Sequence, residues 1–195
     1  MTPNALFYGR IEQKALVLDK AELAARLRIK RADVASLSPL CEQEVRSSLS
    51  VGYVGFKTEI GILNENEVRL GDIAFQSRDL CRHLSPCREA LVLAVTLGFE
   101  VDRLLRRKGA LSVSAQFMAD AYASAFAEAA LQEALKQTGV ITLTSGFSPG
   151  YGDLSLEAQI PLLEALSARE RLSLTLTKAL LMSPSKSITA IYGIV

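Results

Sequence analysis

Residues Ser50–Gln76 read SVGYVGFKTEIGILNENEVRLGDIAFQ, and this stretch decides the fold class. Its first part, SVGYVGFKTEIGIL, alternates in hydropathy and is rich in β-branched and aromatic residues, the signature of a strand. Asn64-Glu65-Asn66 reads as a turn. EVRLGDIAFQ reads as a second strand, so the pair predicts an antiparallel hairpin. Downstream, EALVLAVTLG (Glu89–Gly98) is an almost unbroken apolar run, expected for a central strand buried on both faces. VITLT (Val140–Thr144) predicts a short strand. RLSLTLTKALL and SKSITAIYGIV predict two more, around the turn MSPS.

Helices fill the intervals. Asp19 is placed as an N-cap for KAELAARLR, where Leu23 and Leu27 stand four apart. Ser38-Pro39 opens a second helix running to about Leu49, with proline at the first helical position. Ser77 caps RDLCRHL, and FEVDRLLRRK follows Gly98. The longest helix spans Ser112–Gln137 and ends toward Gly139, where a helix terminus favours glycine. LSLEAQIPLLEAL predicts a helix kinked at Pro161, which lacks a backbone donor. Antiparallel strand groups with interspersed helices point to an α+β fold rather than a regular βαβ repeat.

The chain has 195 residues and no internal repeat or linker, which predicts one domain over residues 1–195, with a helical N-terminal segment over 1–49. Apolar residues make up 49%, enough for a substantial core. The net charge of +1, from 22 basic and 21 acidic residues, gives no basic stripe for nucleic acid. No apolar run approaches the roughly 20 residues of a membrane helix. Cys41, Cys81 and Cys87 cannot all pair within the chain, so a cytoplasmic protein with reduced thiols is expected.

Ser145–Gln159, SGFSPGYGDLSLEAQ, is the chemical focus. Strand, glycine loop and helix in succession can bring backbone N–H groups toward a polar ligand. Pro149 fixes one dihedral beside the permissive Gly150, and Tyr151 between two glycines is free to present its ring to a planar partner. Asp153 and Ser155 are candidate caps for the following helix. The competing reading is an ordinary β–α corner. The loop has no Gly-Lys-Ser/Thr phosphate motif and lacks dinucleotide glycine spacing.

Cys81, His83 and Cys87 fall within seven residues but offer no fourth ligand, and His83 is the sole histidine. A structural zinc site needs four ligands, so no metal site is expected. Tyr122 and Phe126, four apart, are expected in the core. Arg103–Lys108 reads as a solvated helix end or a docking patch. No nucleophilic machinery is evident, and no catalytic residue is assigned.

FSPGYGDLSLEAQ together with LTLTKALLMSPSKSITAIYGI resembles the C-terminal part of the activation domain of cobalamin-dependent methionine synthase, in its stand-alone bacterial form. LSPCREALVLAVTLGFEVDRLLRR and DAYASAFAEAALQEAL are similar to that family's middle segment and long helix. The resemblance runs from about Ser50 to the C-terminus. It implies a curved, largely antiparallel sheet packed with helices. It also implies binding of S-adenosylmethionine for reductive methylation of cobalamin, with the cobalamin carried by a partner and the electron supplied by a flavodoxin-type donor. The implied partner is the synthase or a related corrinoid protein.

By this resemblance Ser148, Pro149, Gly150 and Tyr151 form the ligand turn, and Glu128 meets the ligand's amino group. The family's arginine, which clamps the ligand carboxylate, is replaced here by Gly146, and Lys186 is the candidate substitute cation. The departure leaves a second reading open, a non-catalytic module that binds or scaffolds a corrinoid protein without holding S-adenosylmethionine tightly.

Overall fold

The structure, a computed structural model, describes residues 5–36 and 39–195. Its strands are β1 (Phe7–Arg10), β2 (Gly52–Asn64), β3 (Glu67–Leu70), β4 (Ile73–Gln76), β5 (Glu89–Thr96), β6 (Thr175–Leu176), β7 (Met182–Ser183) and β8 (Ser187–Ile194). The helices are α1 (Lys20–Leu27), α2 (Pro39–Ser47), α3 (Arg78–Leu84), α4 (Phe99–Leu111), α5 (Val113–Gln137), α6 (Gln159–Ala165) and α7 (Ala168–Leu172). The main sheet is antiparallel and curls into a half-barrel, in the order β4-β3-β2-β5-β8, with β1 added against β2. The α+β expectation holds.

β5 organises the packing. It pairs along its whole length with β2 on one side and β8 on the other, and seven of its eight residues are buried. Alternate side chains go to opposite faces. Leu93 and Val95 join a core built with α1, α2, α4 and α5, while Ala90, Val92 and Ala94 join a second core with α3, α6 and α7. Leu91 packs with Ala190 and Tyr192 in a small third cluster. Burial on both faces is why the sequence here is continuously apolar. Tyr122 and Phe126 of α5 are buried as expected, and the Arg46 guanidinium lies 4.7 Å above the Phe126 ring.

Local capping follows the sequence. Asp19 Oδ1 accepts from the N–H groups of Ala21 at 2.7 Å and Glu22 at 3.4 Å, and Ser77 Oγ accepts from Leu80 N–H at 2.9 Å. Ser38 lies outside the described residues, and Pro39 is the first residue of α2. Lys108 is paired with Glu44 and Arg103 with Glu100, so two cations of the basic run are already engaged. No helix among the described residues is long and apolar enough to cross a membrane.

Several expectations need correction. The segment 1–49 is not wholly helical, because Phe7–Arg10 pairs with Gly52–Gly55 as a strand. EVRLGDIAFQ is two strands, β3 and β4, folded back on each other at Gly71, whose φ of 59° suits the tight turn. Pro161 is not in a helix interior: it sits in the first turn of α6, directly after a 3-10 turn over Leu156–Ala158, so the N–H it lacks would have had no partner within α6. RLSLTLTKALL contributes the end of α7 and then only the two-residue β6, which pairs with β7 away from the main sheet. Ser167 and Ser173, both left-handed, bracket α7 and break the strand that alternating leucines suggested.

VITLT is reduced to one isolated bridge, Leu143 against Ile194 of β8, and a second bridge follows in the loop at Phe147. The side-chain oxygen of Thr144 takes the Gly193 N–H at 2.8 Å, in place of a backbone carbonyl, and this interrupts the ladder.

Candidate functional site

A groove of about 570 Å³ opens between the C-terminal half of α5, the Leu143–Tyr151 segment and β8. The α5 wall carries Glu128, Leu131, Gln132, Leu135 and Lys136. The loop wall carries Thr144, Ser145, Gly146, Ser148 and Tyr151. The floor is Ile188, Ala190 and Tyr192, every second residue of β8, as strand alternation requires.

The loop is fixed at both ends by α3. His83, in the last turn of that helix, places Nε2 2.8 Å from the Ser145 carbonyl and 3.0 Å from Thr144 Oγ1. At the other end Asp153 caps α3 rather than the helix that follows it. Its carboxylate accepts from Ser77 Oγ at 2.5 Å, Arg78 N–H at 2.8 Å and Asp79 N–H at 3.2 Å. These bonds, led by that from Ser77, hold the Asp153 carboxyl below its usual range. Ser155 does cap the turn ahead of α6, accepting from Glu157 N–H at 3.2 Å.

Between these anchors the glycines have distinct tasks. Gly150 and Gly152 adopt positive φ of 90° and 53°. A Cβ at Gly152 would also run into the Asp79 carboxylate. Gly150 N–H donates to Leu154 O at 2.9 Å and Tyr151 N–H to Ser148 O at 3.0 Å. Both donors are therefore turned inward, and Pro149 and Gly150 shape the turn without lining the groove. The N–H groups of Gly146 and Ser148, both groove residues, have no partner among the described residues.

Tyr151 is 57% exposed at the rim. Its ring meets Phe147 edge-on at 6.2 Å, and Phe147 in turn lies 5.2 Å from the His83 imidazole. This aromatic series supports the Tyr151 ring from beneath and leaves much of it uncovered.

On the opposite wall Glu128 is half-exposed, with Arg26 of α1 at 3.8 Å. Burial raises the Glu128 carboxyl above its usual range, Glu22 adds to the rise, and Arg26 offsets part of it. Glu128, Gln132 and Lys136 also border a smaller cleft of about 270 Å³ that includes Asp19 and Glu22.

The structure thus brings Glu128, Gly146, Ser148 and Tyr151 around one cavity. Lys186 is elsewhere: its ammonium lies 2.8 Å from Asp120 and donates to Ser124 Oγ at 2.8 Å, and its side chain is only 15% exposed. It has no place in the lining and is committed to the first half of α5.

Sequence reading missed Tyr192. Its ring backs directly onto Gly146, where a Cβ would lie 3.0 Å from Cε1, Cζ and the hydroxyl oxygen. The available signal was its place on the same β8 face as Ile188 and Ala190, but period two does not say what a face looks upon. Among the described residues no cluster of three or more metal-ligating side chains occurs, and His83 is occupied by the loop.

No protein-family model matches this sequence, and neither does any curated protein. Among solved structures, the crystal structure of the MetH reactivation domain bound to AdoHcy is similar in fold. The TM-score is 0.74 at 12% identity, covering 98% of this chain and 80% of that one. At that identity the likeness is one of fold: the chain has the α+β architecture of the MetH reactivation domain, with a groove against the glycine loop.

Proposed function

We propose that this chain binds an S-adenosyl ligand in the groove and serves to reactivate a cobalamin-dependent methionine synthase or a related corrinoid protein. The observation that carries the reading is the pairing of an exposed Tyr151 on a rigid glycine turn with the Glu128 carboxylate across one cavity. Support comes from the fold, whose solved example holds AdoHcy, and from the sequence resemblance described above.

The residues suit such a ligand. Glu128 offers a carboxylate to its ammonium and sulfonium charges. Gly146 and Ser148 offer unused backbone donors, and Tyr151 offers a ring at the boundary with a partner. A corrinoid carried by that partner would supply the methyl acceptor, and a flavodoxin-type donor the one electron that reduces it beforehand. In the transfer the S–CH₃ bond breaks, the sulfur keeps the electron pair, and S-adenosylhomocysteine is left. The chain's contribution is to hold the donor in place, so its effect on rate is one of proximity and orientation.

Gly146 favours a second reading, a module that docks on a corrinoid protein without using the small ligand, because no guanidinium stands at that position. Titration calorimetry and thermal shift with S-adenosylmethionine and S-adenosylhomocysteine separate the two. Ligand at 100 times its Kd is expected to stabilise the fold by about 2.7 kcal/mol. Absence of heat and of any thermal shift at millimolar ligand would sink the first reading, and binding to the corrinoid protein under those conditions would support the second.

A further inference from the structure

The groove contains one buried polar group that the loop and Glu128 do not account for. Tyr192 is 5% exposed and lines the floor. Its hydroxyl has no hydrogen-bond partner among the described residues. The residue is buried, but its hydroxyl opens onto the cavity with no protein partner, which leaves it free to bond a ligand atom. The hydroxyl also occupies the volume that a side chain at position 146 would take.

We propose that Tyr192 reads the amino-acid end of the bound ligand, its hydroxyl donating to the ligand carboxylate while Glu128 takes the ammonium. This rests on the S-adenosyl reading above. Burial, with the Glu128 and Tyr151 charges adding, raises the Tyr192 phenol to about 12. It stays protonated at physiological pH and is a donor throughout that range. A neutral phenol serves here in place of a guanidinium, and it requires glycine at 146 to reach the groove. The Tyr192 hydroxyl thus gives the carboxylate a neutral donor where a bidentate cation would otherwise stand.

The test is calorimetry on the wild type and Tyr192→Phe with two ligands, S-adenosylhomocysteine and 5′-methylthioadenosine, the latter lacking the whole amino-acid end. Loss of a hydrogen bond to a charged group is expected to weaken S-adenosylhomocysteine by about tenfold or more. Affinity for 5′-methylthioadenosine should stay within about twofold, a change well under 1 kcal/mol. The melting temperature of Tyr192→Phe should not fall, since the removed hydroxyl has no protein partner, and this checks that the variant is folded.

Equal losses for both ligands, or no loss for either, overturn the role of Tyr192 and leave the S-adenosyl reading standing. If the wild type binds neither ligand, the S-adenosyl reading falls and this proposal falls with it.

Discussion

Gly146→Ala tests why this position of the loop carries no side chain. Gly146 does not have positive φ, so alanine meets no backbone penalty there. Removing a glycine's freedom from the unfolded chain would by itself stabilise the protein by about 0.4–1 kcal/mol. Against this, the new Cβ lies 3.0 Å from three atoms at the end of the Tyr192 ring. That ring is 5% exposed and stands opposite Leu91 in the β5–β8 ladder, which leaves it little room to yield. Overpacking of this kind costs about 1–3 kcal/mol, so the balance runs from about zero to 2.6 kcal/mol destabilising. For a chain of this length that lowers the melting temperature by as much as about 10 °C. An arginine begins from the same Cβ and meets the same obstacle before its guanidinium reaches anything. Tyr192→Leu removes all three contacting atoms. In that background Gly146→Ala is expected to become stabilising by about 0.4–1 kcal/mol, giving a coupling of about 1–3 kcal/mol in a double-mutant cycle. Urea melts of the four proteins measure it. A rise in stability on Gly146→Ala in the wild-type background, or a coupling near zero, would refute the idea that glycine and tyrosine form one packing unit.

Three further outcomes follow from the geometry. Glu128→Gln removes a carboxylate whose folded-state pKa is raised, so its charge opposes folding above that pKa; the variant should melt higher at pH 7, lose that advantage toward pH 4, and bind S-adenosylmethionine about tenfold or more weakly. Asp153→Asn reports the opposite sign: a depressed carboxyl stabilises the fold above its ordinary pKa and ceases to as pH falls through the folded value, so the melting-temperature gap from wild type should be full at neutral pH and close below pH 3.8. Lys186→Met should cost about 1 kcal/mol or less in a urea melt, through loss of the contacts to Asp120 and Ser124, and leave ligand affinity unchanged; a loss of affinity without loss of stability would restore Lys186 to the site.

What could be read in the sequence was whatever short-range rules control. In the hairpin from Ser50 burial alternates only past Phe56, where one face meets solvent, whereas Gly52–Phe56 and nearly all of β5 are buried on both faces. Asp19 and Ser77 bond backbone donors two or three residues ahead, so their capping needs no tertiary knowledge. Asp153 obeys the same chemistry but serves a helix 75 residues earlier in the chain, and nothing local distinguishes it from a cap for the next helix. The alternating leucines at 172, 174 and 176 suggested a strand, yet Ser173 turns left-handed between them and Leu174 is buried against α6 and α7 side chains of the second core. In the groove, turn chemistry marks Tyr151 between its glycines, while Gly146, Ser148 and Glu128 were singled out by the family resemblance. Tyr192 was not, because its role depends on which loop lies over β8.

The arrangement of α3 explains why the loop is suited to present a ligand surface. Ser145 is held at one end of this helix by His83, and Asp153 is held at the other by Ser77 and two backbone donors. Thr144 and Phe147 are bonded to β8 along the loop's other edge. The intervening residues have little freedom left to lose when a ligand arrives, which lowers the entropic cost of binding. The same anchors fix the distance between the Tyr151 rim and the α5 wall, since α5 and β8 belong to a common core through Leu135 and Ile188. A loop placed by a helix on one side and a sheet on the other cannot shift toward one wall of the groove without breaking bonds to the other. For that reason cutting the His83 anchor should loosen ligand binding, even though His83 itself does not line the cavity.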